Sequence, residues 1–295
     1  MTPMTTVMEN LASQSMFLLL EFDRFGNSRK ADVEANTTAN QDRFAHSKRL
    51  LDSPELAEIS KQDGALRVWL DQPGRCWKQG KSLRFVLLHR ADEVYERCIE
   101  YQSITRPALV QKFLEVYIAQ IAESQKDLGP QFDASQYPSL EEVKKEFDMT
   151  FQLVTFNTPD VLKVASPKVY AAEKEKASQV LMSAAEELKS GMRALFQECV
   201  ARLLDALSPT EGKKKKLHKS AVEKLQNFLT AFNLDNVNND SELQVEVEKL
   251  KLIMTGVDVD KIKESDNLKA DLVAKFAKVS TNMTNLVTVK GRKIR

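Results

Sequence analysis

"PKVYAAEKEKASQVLMSAAEELKSGMRALFQECVARLLDAL", residues 167–207, decides the fold. Nothing in it stops a helix except Gly191, which costs only about 1 kcal/mol relative to Ala. Ser166-Pro167 opens it, an N-cap residue ahead of a proline that suits the first turn. At 1.5 Å per residue the helix is roughly 60 Å long. Its apolar seam reads Leu181, Ala185, Leu188, Met192, Leu195, Cys199, Leu203 and Leu207, in steps of four and three. That is coiled-coil spacing. Most helical stability comes from packing an apolar face, so a seam of this length demands cover. Leu181, Leu188, Met192, Leu195 and Leu203 are therefore the candidate protein-interface residues, for another protein or a second copy of the chain.

One source of cover follows in sequence. Ser220-Ala-Val-Glu223 fits a capping box, opening a helix with Val222, Leu225, Phe228, Leu229 and Phe232. "NLDNVNNDSE" interrupts it. A further helix carries Leu243, Val247, Leu250 and Ile253 and ends at Thr255-Gly256. A last one, residues 265–287, carries Leu268, Leu272, Phe276, Val279, Met283 and Leu286. Residues 161–295 are thus expected to form a domain of their own, a long helical hairpin and coiled-coil-like bundle with short connections.

Upstream the signals are mixed. "QSMFLLLEFDRF", residues 14–25, is short, apolar and aromatic, which suits a buried strand ending at the turn Phe25-Gly26-Asn27. Residues 26–42 are polar and read as a loop, and "RFAHSKRLL" fits a second strand or the lead-in to a helix. Ser53-Pro54-Glu55 starts a helix that should run to about Leu70. "DQPGRCWKQGKS", residues 71–82, breaks it. Residues 83–102 return to helical spacing, with Val86, Leu87, Val94, Cys98 and Ile99 on one face. After Arg106-Pro107 another helix places Val110, Phe113, Tyr117 and Ile121 inward, as far as Gly129-Pro130. Ser139 and Glu142 form a second capping-box pattern. Beyond it the period changes to two, with Phe147, Met149, Phe151 and Leu153 on one face of a strand. That strand could pair with residues 15–24. The expected fold class is mainly α (α+β): residues 1–160 an α+β domain with a small antiparallel sheet, residues 161–295 the helical bundle.

Composition narrows the function. The chain has 295 residues, with Lys+Arg 43 against Asp+Glu 42 and a net charge of +1. No overall field draws it onto nucleic acid or an acidic membrane, so such binding would need a local patch. The candidates are Lys213, Lys214, Lys215, Lys216 and Lys219 at the tip of the hairpin, with Lys290, Arg292, Lys293 and Arg295 at the C-terminus. A basic tip of this kind can neutralise phosphates. The alternative is a solvated turn beside the C-terminal dipole of the long helix.

Several chemistries are disfavoured. "EGKKKKLHKS" lacks the glycine spacing of a phosphate loop, and "GRCWKQGKS", residues 74–82, is one residue too long for it. His46, His89 and His218 are scattered, and no His or Cys pair has ligand spacing, so neither metal nor cofactor is expected. No nucleophile elbow is present. Carboxylates occur as helix-surface pairs such as Glu173-Lys174-Glu175-Lys176, a solvated face. Trp69 and Trp77 flank a turn, as core anchors or as a stacking surface. The reading is a protein that is not an enzyme. Cys76, Cys98 and Cys199 are far apart and odd in number, which points to a reducing cytoplasm and no disulfide framework. No apolar run approaches membrane-spanning length.

"RLLDSPELAEI" (49–59), "ASQYPSLEEVKKEF" (134–147), "EGKKKKLHKSAVEKLQNFL" (211–229) and "DSELQVEVEKLKLIMTGVD" (240–258) resemble a bacterial domain-of-unknown-function family carried by phages, plasmids and integrative elements. These motifs mark caps, turns and a helical hairpin. Genes of that family often lie near a MoxR-type AAA ATPase and a von Willebrand A-domain protein. The resemblance implies a phage or mobile-element protein that partners an ATPase machine or DNA metabolism, and it carries no catalytic residues.

Overall fold

The computed structural model describes residues 11–31, 47–72, 74–208, 218–257, 262 and 265–286. Strands are β1 (Ser15–Phe22), β2 (Ser28–Lys30), β3 (Ser47–Arg49), β4 (Cys76–Lys78), β5 (Leu83–Leu87) and β6 (Met149–Val154). Helices are α1 (Pro54–Leu70), α2 (Ala91–Glu100), α3 (Arg106–Leu128), α4 (Leu140–Lys145), α5 (Val161–Ala165), α6 (Pro167–Leu207), α7 (Lys219–Asp235), α8 (Ser241–Met254) and α9 (Asp266–Leu286). The protein is mainly α with a small antiparallel sheet, in the strand order β4-β5-β1-β6; β2 and β3 pair separately. The alternating stretch near residue 150 is β6, and its neighbour is β1.

Two compact units emerge, and neither follows the sequence boundary expected at residue 160. The α+β unit takes residues 18–71 and 91–153, and the bundle unit takes residues 1–17, 72–90 and 154–295. The β4–β5 hairpin belongs with the bundle because Trp77 packs onto α6.

In the α+β unit, Ser53 caps α1 by accepting the Leu56 N–H at 3.1 Å. Helix α1 packs on α3, and Phe25, Leu50, Ile59, Phe113, Tyr117 and Val143 close the core. The capping box at Ser139 is complete: Ser139 N–H donates to Glu142 at 2.9 Å, and Ser139 Oγ accepts the Glu142 N–H at 3.4 Å. Residues 26–31 are not all loop, because Ser28–Lys30 pairs antiparallel with Ser47–Arg49.

The single helix expected over 83–102 is corrected. Leu83–Leu87 is a strand paired with β4, and the helix begins only at Ala91. "LRFVL" is a short, almost fully buried run, which periodicity alone cannot assign. Nor does Arg106-Pro107 begin a separate helix. A π turn, Tyr101–Thr105, carries α2 into α3 without a break. The proline accounts for it. Pro107 has no N–H for the carbonyl one turn back and its ring crowds that carbonyl, and a wider turn accommodates both.

In the bundle unit α6 packs against α7 and α9, and α8 packs against both of these. Gly191 is more than a tolerated helix breaker. A Cβ there would lie 2.9 Å from Trp77 Nε1, so the glycine admits the indole to the helix backbone. Trp77 is thus a core anchor, while Trp69 is half-buried with Arg97 over its ring at 5.9 Å. The expected capping box at Ser220 is not formed. Helix α7 starts at Lys219 with His218 as its N-cap residue and no side-chain cap, and Glu223 pairs with Lys219 at 3.6 Å instead.

Candidate protein interface on the long helix

Helix α6 spans the residues its sequence predicts, but its seam is not free. Leu188, Met192 and Leu203 are 0, 3 and 1% exposed in the bundle core, and Leu181 and Leu195 pack partly buried against that core. The expectation that these five residues meet another protein is corrected. The three helices that follow α6 supply the cover, so removing them from water is already accomplished within the chain.

What remains uncovered is the other end of the same helix. No residue of α6 before Ala184 is buried. Helix α5 packs beside this arm and has no buried residue of its own. Val161 is 70% exposed and Val164 89%, with Val169 and Phe156 also exposed. Phe156 leans edge-on against Phe17 with ring centres 4.8 Å apart. Asp160 accepts from Lys163 at 2.7 Å, and Lys163 sits 5.3 Å over the Tyr170 ring. The hydrogen bond to Asp160 and then that to Tyr170 raise the Lys163 pKa.

Stepping back from Ala184 by threes and fours, the core-facing stripe of α6 continues through Val180, Lys176, Glu173 and Val169. Lys176 and Glu173 pair with each other at 2.6 Å on the exposed arm. Thr158-Pro159-Asp160 is a helix-start pattern ahead of the α5 valines, but a start pattern carries no information about what covers a helix.

The covered end is locked by a polar clamp that the apolar pattern hid. Arg193 donates through Nε and Nη2 to both oxygens of Asp240, at 2.6 and 2.7 Å. Nη2 also reaches Glu242 at 2.5 Å, and Nη1 donates to the Leu286 carbonyl at 2.9 Å. Asp240 in turn caps α8 by accepting the Leu243 N–H at 3.3 Å. Burial pushes the Asp240 carboxyl up, but its bonds to Arg193 and Leu243 outweigh this and leave it below the ordinary value. The bond to Asp240 raises Arg193 against its own burial. A second buried acid, Asp235, lies 2.8 Å from His89 Nε2 and 3.7 Å from Arg90. Burial dominates there and raises its pKa against the opposing pull of Arg90 and His89.

Of the candidate phosphate contacts, Lys213–Lys216, Lys290, Arg292, Lys293 and Arg295 lie outside the described residues. Lys219 is exposed and faces Glu223. Nearby, Arg202 and Lys224 share Glu198 at 2.6 and 3.3 Å. These two line a cleft of about 510 Å³ with Cys199, Asp205 and His218. Burial raises the Cys199 thiol, so it stays protonated and is a poor nucleophile. Among the described residues, no group of three or more His, Cys, Asp or Glu side chains could hold a metal ion. No helix among them is long and apolar enough to cross a membrane.

Comparison of the chain with protein-family models, curated proteins and solved structures finds no match.

Proposed function

We propose that the protein is a non-enzymatic interaction protein that associates with a second copy of itself through the uncovered arm of α6. One observation carries this reading: the arm prolongs the stripe that the bundle buries, yet among the described residues no side chain of α6 before Ala184 is buried, and only Val180 and Leu181 rest on the edge of the core.

The charge pattern favours self-pairing. If two arms run antiparallel, centred between Lys174 and Glu175, Glu173 of each falls opposite Lys176 of the other. The same register sets Val169 opposite Val180 and Ala172 opposite Ala177. Apolar meets apolar and each charge meets its opposite. The exposed valines of α5 flank this contact. Exposed ion pairs are individually weak, so the dimer is a concentration-dependent one. The free cysteines Cys76, Cys98 and Cys199 suit a reducing compartment such as a bacterial cytoplasm. The MoxR-type ATPase implied by the family resemblance is the other occupant for the same arm. The nucleic-acid reading rests, among the described residues, on Lys219 alone.

Size-exclusion chromatography with light scattering across a range of concentrations tests the proposal. Wild type should approach twice the chain mass. Glu173→Lys and Lys176→Glu should each be monomeric, because each sets like charges opposite one another. Mixing the two variants should restore a heterodimer. A wild-type monomer at every concentration refutes self-association and leaves the arm to a different protein.

A further inference from the structure

The α+β unit holds a buried carboxylate shared by two guanidinium groups beside an open cleft. Asp63 is fully buried. It accepts from Arg24 Nε at 2.9 Å, Arg106 Nε at 3.1 Å and the Tyr101 hydroxyl at 2.8 Å. Two guanidinium groups thus share one carboxylate, and Arg67 and Arg106 also lie over the Phe22 ring at 4.6 and 5.5 Å. Arg24 keeps 31% of its side chain exposed, so of the two only Arg106 is buried on the carboxylate. Arg106 is only 3% exposed, and its Nη2 is used on the Asp23 carbonyl at 2.7 Å. Among the described residues its Nη1 makes no hydrogen bond.

Arg106 also lines a cleft of about 470 Å³, a size that suits a small organic molecule. Gln102, Gln111 and Lys144 are its other cationic or amide groups, and Asp148 is its one acid. Asp148 is engaged locally, accepting the Met149 N–H at 2.8 Å. Gln102 is held by donating to the Met149 carbonyl at 2.6 Å, which leaves its own oxygen as an acceptor. Val110, Leu114, Phe147 and Met149 make an apolar wall. The π turn introduced by Pro107 sets Gln102 and Arg106 on this cleft, and wide turns of this kind recur at functional sites.

We propose that this cleft binds a small organic anion, a carboxylate or phosphate group carried on an apolar body. Arg106 Nη1 meets the anion from the floor, Lys144 approaches from the exposed rim, and the apolar wall takes the body. A charge-assisted hydrogen bond from a guanidinium already fixed by Asp63 needs little reorganisation.

Phenylacetate and phenyl phosphate are the probes, with inorganic phosphate and benzyl alcohol as arms lacking the apolar body or the charge. Binding is read by calorimetry and by the Gln102 and Gln111 side-chain amide signals in NMR spectra. Both aryl anions should bind and move those signals. Inorganic phosphate should bind more weakly, and benzyl alcohol should not bind. The tighter of the two aryl anions identifies the preferred group. Lys144→Glu, which leaves the Asp63 cluster intact, should weaken binding at least tenfold. Arg106→Lys, checked for folding by circular dichroism, should abolish it. Absence of binding by both aryl anions, or unchanged affinity in Lys144→Glu, overturns the proposal.

Discussion

Arg193 in the bundle unit and Arg106 in the α+β unit are both buried arginines on a buried carboxylate, yet they do different work. Arg193 is saturated. It holds both oxygens of Asp240 in a two-pronged pair, and its remaining contacts reach Glu242 and the Leu286 carbonyl. Arg106 shares Asp63 with Arg24 and Tyr101 and keeps one nitrogen unengaged among the described residues. A satisfied clamp fixes structure, whereas a surplus of charge beside a cleft is a resource for binding. The contrast between a balanced pair and an unbalanced cluster can be broken by substitution.

The largest effect is expected at the clamp. Arg193→Met leaves Asp240 buried without its partner, and such losses run to about 3–5 kcal/mol. Arg106→Met is expected to cost less, because Asp63 retains Arg24 and the Tyr101 hydroxyl. Urea unfolding of the two variants measures the difference directly. Equal losses would show that the two arginines are equivalent anchors.

Gly191→Ala comes next. Helix propensity alone would make the substitution favourable by about 1 kcal/mol. The new Cβ meets the Trp77 indole at 2.9 Å, and overpacking of this kind costs about 1–3 kcal/mol. The net should be a loss, accompanied by a change in Trp77 fluorescence. Trp77→Phe in the same chain should recover part of it.

Acid separates two carboxylates of the bundle unit. The folded pKa of Asp240 lies below the ordinary aspartate value. Its contribution is therefore full above that value and is lost as pH falls through the folded pKa. Asp235 runs the other way. Its folded pKa is raised, so ionisation penalises the fold at neutral pH, and the penalty is relieved as pH falls through the raised value. Stability measured against pH should rise on mild acidification and collapse at stronger acid. Asp235→Asn should remove the rise, and Asp240→Asn should blunt the collapse. A wild-type profile that falls monotonically on acidification would contradict the sign assigned to Asp235.

Much of this architecture was legible because it rests on local rules. The bounds of α6, the N-cap at Ser53 and the alternation of β6 follow from spacing and cap chemistry. The strand Leu83–Leu87 was not legible, because a short buried run has no distinctive period. The fate of the α6 seam was not legible either. Leu188 and Leu203 look alike as an interface and as a core, and only the packing of α7 and α9 decides between them. The charged clamps escaped altogether. Arg193 lies 47 residues from Asp240 and Arg106 lies 43 from Asp63, and no local pattern joins them.

The smallest predicted effect isolates that limit. Ser139-Leu-Glu-Glu142 and Ser220-Ala-Val-Glu223 are the same capping signature in sequence. Only the first is formed. There, both reciprocal bonds are present and Ser139 is extended, ahead of a six-residue helix that has little else to start it. In the second, Ser220 is already helical and the helix begins one residue earlier, at Lys219. Ser139→Ala should therefore cost about 1 kcal/mol, the usual worth of an N-cap, while Ser220→Ala should be near neutral. Urea unfolding of the two single variants decides it, and an equal loss at both would mean that Ser220 caps α7 after all.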